Sequence, residues 1–191
     1  MRALTLSIPP IAQLSSEQFY QLCQANRDLR IERTAKGELI IMPPTGGNTG
    51  RRNLKISQQL ANWADVDGTG VAFDSSTGFK LPNGADRSPD AAWIPLEKWN
   101  SLSSEQQEKL PPICPDFVIE LRSPSDALKP LQEKMQEYLD NGTRLGWLIN
   151  RQNQSVEIYR QGQDVEVLQS PTTLSGEDVL PGFVLNLQAI W

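Results

Sequence analysis

The chain has 191 residues and a mass of 21.3 kDa, and its 38% hydrophobic and 21% charged content supplies one packed interior, so a single domain over residues 1–191 is expected. It contains no histidine, which excludes imidazole-activated nucleophiles, histidine zinc sites and imidazole proton shuttles and leaves carboxylates and lysines to carry any catalysis. The net charge of −5 argues against a non-specific nucleic-acid coat, yet residues 1–60 hold eight Lys/Arg against four Asp/Glu while residues 61–191 hold ten against nineteen.

In chain order, Ser15 is the N-cap candidate of a short helix through Phe19, Leu22 and Cys23. Extended runs at 29–34 and 38–42 flank Ala35-Lys36-Gly37, a hairpin turn. A Gly/Pro-rich loop then leads into a helix over about 49–63, with Leu54, Ile56, Leu60 and Trp63 mostly on one side and Arg51, Arg52 and Lys55 near its start. Strand pieces follow at 71–73 and 78–81, then a clearer strand at 88–94. Residues 95–114 form a polar insertion with a short helix. The strongest strand signal is the run to Arg122 that opens at Pro115, and it ends at Ser123-Pro124-Ser125-Asp126. A helix over 129–141 with Gly142 at its end, strands at 145–150, 156–160 and 164–168, and a docked tail from Leu180 complete the chain. Strands in the middle with helices on both sides predict an α/β or α+β sandwich.

No apolar run approaches the roughly 18 to 20 residues that span a bilayer, and the first residues lack a long apolar targeting segment, so a cytoplasmic protein without a membrane partner is expected. Cys23 and Cys114 form no metal or disulfide pattern and are expected to be reduced. With 23 acids and no imidazole, the natural chemistry is oxygen-ligand binding of a hard divalent ion, Mg²⁺ or Mn²⁺.

The chemistry concentrates where acids interrupt apolar strands. Alternation places Asp116, Val118, Glu120 and Arg122 on one face and Phe117, Ile119 and Leu121 on the other. Ionic groups inside a central strand are costly unless paired or bound to metal. Asp90 is a second acid in a mostly apolar run, directly after Pro89. Two strands presenting internal acids can place both carboxylates on one ion, and an adjacent cation would complete a device for phosphodiester hydrolysis. The order Asp90, then Glu120-Leu121-Arg122, resembles the PD-(D/E)XK nuclease signature.

More specifically, the chain resembles the Uma2 (DUF820) restriction endonucleases. The matching segments run from Gly37 to Gly46, from Thr49 to Asn53, over Ser88-Pro89-Asp90, from Pro115 to Asp126, and from Lys134 to Tyr138 before Gly142. The resemblance implies a restriction-endonuclease-like core, with a central mixed sheet flanked by helices and an N-terminal hairpin. It implies a Mg²⁺- or Mn²⁺-dependent DNA endonuclease with Asp90 and Glu120 as metal ligands. Arg122 departs from the superfamily, which usually has lysine there, and an arginine can stabilise charge but cannot act as a base. Lys134, at the edge of the 129–141 apolar stripe, is the substitute cation that the resemblance suggests. Glu38 and Asp116 are additional candidate acids, and Arg51, Arg52 and Lys55 are the expected DNA-binding cations. Two cuts on a duplex need two sites, which adds a homodimer to the expectations. Two rival readings stay open: an inactive nuclease fold that binds nucleic acid or regulates, and a structural interaction module whose acids form ion pairs.

Overall fold

The computed structural model describes residues 3–191. From the N-terminus it runs β1 (Leu4–Leu6), α1 (Ser16–Ala25), β2 (Arg30–Arg33), β3 (Leu39–Met42), α2 (Gly47–Asp67), β4 (Gly70–Asp74), β5 (Phe79–Lys80), β6 (Asp86–Arg87) and β7 (Ala91–Pro95). It continues with α3 (Leu96–Asn100), α4 (Ser104–Glu108), β8 (Phe117–Arg122), α5 (Leu128–Asp140), β9 (Leu145–Asn150), β10 (Ser155–Arg160), β11 (Glu166–Gln169), β12 (Thr173–Ser175) and β13 (Val184–Asn186).

Six strands make a mixed sheet in the order β11-β10-β9-β8-β7-β4. Within it β8 and β9 are parallel, and α5 is the crossover that a parallel pair requires. The N-terminal hairpin β2–β3 belongs to a second, antiparallel sheet in the order β1-β3-β2-β6-β5. The architecture is the α/β arrangement expected, a mixed central sheet flanked by helices.

Both faces of the mixed sheet are covered, and strand periodicity decides which side chains go where. Phe117, Ile119 and Leu121 of β8, with Leu145, Trp147 and Ile149 of β9, pack with Ile56, Leu60 and Ala64 of α2 and with Phe183, Leu185, Leu187 and Ile190 from the C-terminal segment. Val118 and Leu148 pack on the other side with Met135, Tyr138 and Leu139 of α5. Glu120 shares the parity of Val118 and therefore faces α5.

Local rules explain most boundaries. Ser15 and Gln18 form a reciprocal capping box at the start of α1. Gly37, at φ +84°, allows the tight turn between β2 and β3. Helix α2 runs past Trp63 because Ala64 still faces the core, and it stops at Gly68, whose left-handed φ of 69° closes the helix. The polar insertion holds two short helices, α3 and α4, rather than one. The expected strand from Ser88 begins only at Ala91, so Asp90 lies just ahead of β7 and not inside it. Pro89 offers no N–H to a ladder, and Asp90 uses its side chain to bind the β8 backbone instead.

Close approach of α5 to the sheet depends on Gly146. A Cβ built there would lie 2.5 Å from the end of Met135 and 3.3 Å from Val118. Gly146→Val should therefore overpack the α5 side, costing about 1–3 kcal/mol, and it should loosen the helix that carries Lys134 and Tyr138. Gly146→Ala should cost less, because the flexible end of Met135 can turn aside. Thermal melting of the two variants beside the parent checks the ranking, and equal melting temperatures would show that the contact does not constrain α5.

Candidate active site

The register between β7 and β8 pairs Ala91 with Ile119, and continuing it by one residue sets Asp90 opposite Glu120. One Asp90 oxygen accepts from the Leu121 backbone N–H at 2.9 Å and the other from the Asn53 amide at 2.8 Å. Asp90 is thus anchored on the backbone beside Glu120 by a residue of α2. Glu120 is buried at 5% exposure, and its Oε1 accepts from the Tyr138 hydroxyl at 3.1 Å and meets the Lys134 ammonium at 2.7 Å. Lys134 and Tyr138 are one helical turn apart on α5, so both reach the same carboxylate.

A third acid completes the arrangement. Glu32 of β2 is 2% exposed, and its Oε1 also lies 2.7 Å from the Lys134 ammonium. The same carboxylate accepts from the Ser88 N–H at 3.0 Å and from Arg87 at 3.1 Å, and Arg87 in turn pairs with Glu137 at 2.5 Å. These groups face an open cleft of about 1050 Å³ lined by Arg30, Glu32, Asn53, Asp90, Glu120 and Lys134, with the 43–49 loop and the 123–127 turn at its walls.

Burial dominates the electrostatics. It pushes the Glu120 carboxyl up from 4.5 to about 7; Lys134 pulls it back, while the charges of Asp90 and Glu32 push in the same direction as burial. Burial likewise raises Asp90, although the Leu121 N–H and the charges of Lys134 and Arg30 oppose the shift. Glu32 ends below its ordinary value: burial would raise it, but Lys134 and Arg87 together outweigh that penalty. Burial would lower Lys134, yet Glu120 and Glu32 hold it above the usual lysine range. The two carboxylates thus favour the charged form of Lys134.

The sequence candidates divide sharply. Asp90, Glu120 and Lys134 come together around one point. Glu38 lines the cleft farther along the hairpin, where it accepts from Thr34 and Ser7 hydroxyls, both at 3.4 Å. Arg122 does not line the cleft; its guanidinium turns to the Asp126 carbonyl at 3.0 Å and the Asn150 side chain at 3.3 Å, and so holds the 123–126 turn against β9. Asp116 lies at the opposite end of β8, paired with Lys98 at 2.9 Å. Arg52 is buried at 8% exposure, and it donates to the Ile190 carbonyl at 2.8 Å and the Asn48 carbonyl at 2.9 Å, so its guanidinium is committed to backbone carbonyls. Arg51 is exposed and Lys55 donates to Gln58, and neither lines the cleft.

Sequence reasoning missed Glu32, Arg87, Asn53 and Tyr138. Glu32 carried the same signal that singled out Glu120, an acid inside an extended run beside an apolar residue. Its partner Lys134 is 102 positions away, so only the tertiary fold reveals the pair.

Among the described residues no three His, Cys, Asp or Glu side chains form a group already arranged around a metal ion. The donor chemistry nevertheless fits Mg²⁺, which is held by one or two carboxylates and completes its shell with water and substrate oxygens. Asp90 and Glu120 would be those carboxylates. Beside them the buried Asn53 Oδ1 is an acceptor without a hydrogen-bond partner among the described residues. Around the point where they meet, Glu32, Asp90, Glu120 and Glu137 face only two paired cations, Arg87 and Lys134. When all are ionised, the acids outnumber these two cations, a setting that favours binding of a positive ion.

Comparison with known proteins gives the family and the fold. A crystal structure described as a "putative nuclease belonging to DUF820" from Anabaena variabilis superposes with a TM-score of 0.71 at 21% identity, covering 84% of this chain and 88% of that one. No curated protein matches the chain. The sequence model of Uma2, described as "Putative restriction endonuclease", matches residues 16–188, and the chain belongs to that family.

Proposed function

We propose that the protein is a metal-dependent DNA endonuclease that hydrolyses phosphodiester bonds at the cleft formed by Asp90, Glu120, Glu32 and Lys134. The observation that carries this reading is the Lys134 ammonium, 2.7 Å from both Glu32 and Glu120 and facing the cleft in which Asp90 is anchored beside Glu120. Family and fold support a nuclease. Among the described residues, no helix is long and apolar enough to cross a membrane.

A divalent ion held by Asp90 and Glu120 would neutralise charge on the phosphate and activate water for attack. The protein's own groups do the rest. Asn53 and the Leu121 N–H fix the Asp90 carboxylate, and Tyr138 orients Glu120. Glu32, itself held by Arg87 and the Ser88 N–H, aims the Lys134 ammonium. That ammonium stabilises negative charge building on the phosphate oxygens, a contribution that is large in a water-poor site.

The reading is tested on plasmid DNA with Mg²⁺ or Mn²⁺. Asp90→Asn and Glu120→Gln should each abolish cleavage with the fold retained, since each change removes a ligand charge and almost no volume. Calorimetry should show the divalent ion lost from Asp90→Asn. Cleavage at parental rate by both variants would exclude the site.

The two sequence cations should separate. Lys134→Met should lower the rate at least about a hundredfold, of order 3 kcal/mol in the barrier. It should also lower the melting temperature, because Glu32 and Glu120 are left buried without their shared cation. Arg122→Gln should change the rate by less than about threefold, since that side chain faces a turn and not the cleft. The reverse ranking would return Arg122 to the site.

Acid–base linkage supplies a test that needs no turnover. Between about pH 4.5 and 7 the folded protein keeps a proton on Glu120 that the unfolded chain has lost, so the metal-free stability should fall as pH rises through that window. Glu32, shifted the other way, contributes stability that is lost only at lower pH. Melting in EDTA at pH 5 and pH 7 should show the parent losing more than Glu120→Gln. Divalent-ion affinity should rise over the same interval, because the ion displaces that proton. Parallel pH profiles for parent and variant would show that Glu120 is not so perturbed.

A further inference from the structure

The basic side chains that line the cleft are Arg30, Arg87 and Lys134. Two of them are neutralised by the protein itself: Arg87 pairs with Glu32 and Glu137, and Lys134 with Glu32 and Glu120. Arg30 differs. Among the described residues its side chain has no ion pair or hydrogen bond with the protein, although it is half-buried.

Its position is set by the hairpin. Arg30 and Glu32 are two apart on β2 and share a face. Their β3 partners in the register are Met42 and Ile40, and all four line the cleft. One face of the β2–β3 hairpin thus forms a wall that presents, in sequence, an unpaired guanidinium and then the acid that aims Lys134. Arg30 lines the same cleft as Asp90. An exposed arginine can be left to water at little cost, but a half-buried one gives up part of its hydration without gaining a partner. The cleft around it is acidic, so its unpaired positive charge there offers an external anion a planar, bidentate donor.

We infer that Arg30 is the cleft's contact for a backbone phosphate of the nucleic-acid substrate, next to the phosphate that is cut. The inference rests on the nuclease reading above, and it gives the role expected of Arg51, Arg52 and Lys55 to a residue of β2 that lines the cleft. Because a phosphate contact carries no base information, Arg30 should act alike on every sequence.

The test measures binding of fluorescein-labelled DNA duplexes of two unrelated sequences across a salt series, with Ca²⁺ present, alongside plasmid cleavage with Mg²⁺. For Arg30→Gln the slope of log affinity against log salt should fall by about one and affinity should weaken about tenfold on both duplexes, with the melting temperature unchanged. Arg30→Lys should keep the parental slope. In cleavage, Arg30→Gln should raise KM far more than it lowers kcat. If the parent binds and cuts DNA while Arg30→Gln shows the same affinity and slope, the guanidinium is merely solvated and the inference fails with the nuclease reading intact. If the parent binds neither duplex at low salt, both fall. If binding depends on Arg30 but no DNA is cut under any divalent ion, the phosphate contact stands and the hydrolytic reading is lost.

Discussion

Two carboxylates withdrawn from water, Glu32 and Glu120, share one ammonium, that of Lys134. Removing a charge from water costs several kcal/mol even after the surroundings relax, so each of these acids is tolerable only while its partner is in place. The three residues belong to β2, β8 and α5, and their meeting joins the antiparallel sheet to the mixed sheet through the crossover helix. Arg87 extends the joint by holding both Glu32 and Glu137. The same parts of the chain also share a buried apolar cluster, in which Phe79 and Leu81 pack with Val118, Met135 and Tyr138, so ions and apolar packing hold them in register together. A chemically useful cluster and a structural joint coincide here, which ties the stability of the fold to the groups that would do chemistry.

The joint is not electrically balanced. Four acids surround two paired cations, and the proton that Glu120 keeps up to about pH 7 is one way the folded chain relieves the excess. A divalent ion is another. The same imbalance bears on substrate. An acidic cleft repels a phosphodiester unless cations intervene, so a nuclease built this way must draw its attraction for DNA from a bound ion and from basic side chains not already neutralised. The basic start of α2 does not fill that role at the cleft, because Arg52 is turned inward to the C-terminal carbonyls, while Arg30 lines the cleft and has no ion pair among the described residues.

Much of the frame was legible from local pattern. The Phe117–Arg122 strand, the α5 stripe, the Gly37 turn and the Ser15 cap follow from periodicity and from backbone preferences that act within a few residues. Asp90 and Glu120 were legible because an acid in an apolar run demands an explanation. Glu32 was not singled out, although it met the same criterion, because its partners come from β6 and α5 and only packing brings them together. Arg52 misled for the converse reason. A charge near a helix start reads as solvated, yet this one is 8% exposed, with hydrogen bonds to the Asn48 carbonyl one turn back and to the Ile190 carbonyl more than a hundred positions away. Asp90 was expected within a strand, but its side chain takes the Leu121 N–H that a regular ladder would have used.

The contrast between Arg122 and Lys134 shows why spacing along a strand is a weaker guide than facing positions across a layer. Two residues beyond Glu120, position 122 is the last of β8, where the chain leaves the sheet and enters the 123–126 turn. A long side chain there is drawn to the free carbonyl of that turn and to Asn150 on the parallel neighbour, whichever face its Cβ starts from. Position 134 on α5 is placed differently, although its ammonium also donates to the Ser88 carbonyl at 3.3 Å. It looks down on the sheet at the point where Glu120 looks up, with Tyr138 one turn on and Glu32 closing the other side, so a flexible four-carbon stem at position 134 ends at the carboxylates. The cation that matters to a buried strand acid is supplied by the element packed over it, which leaves the strand's own arginine free to close the turn.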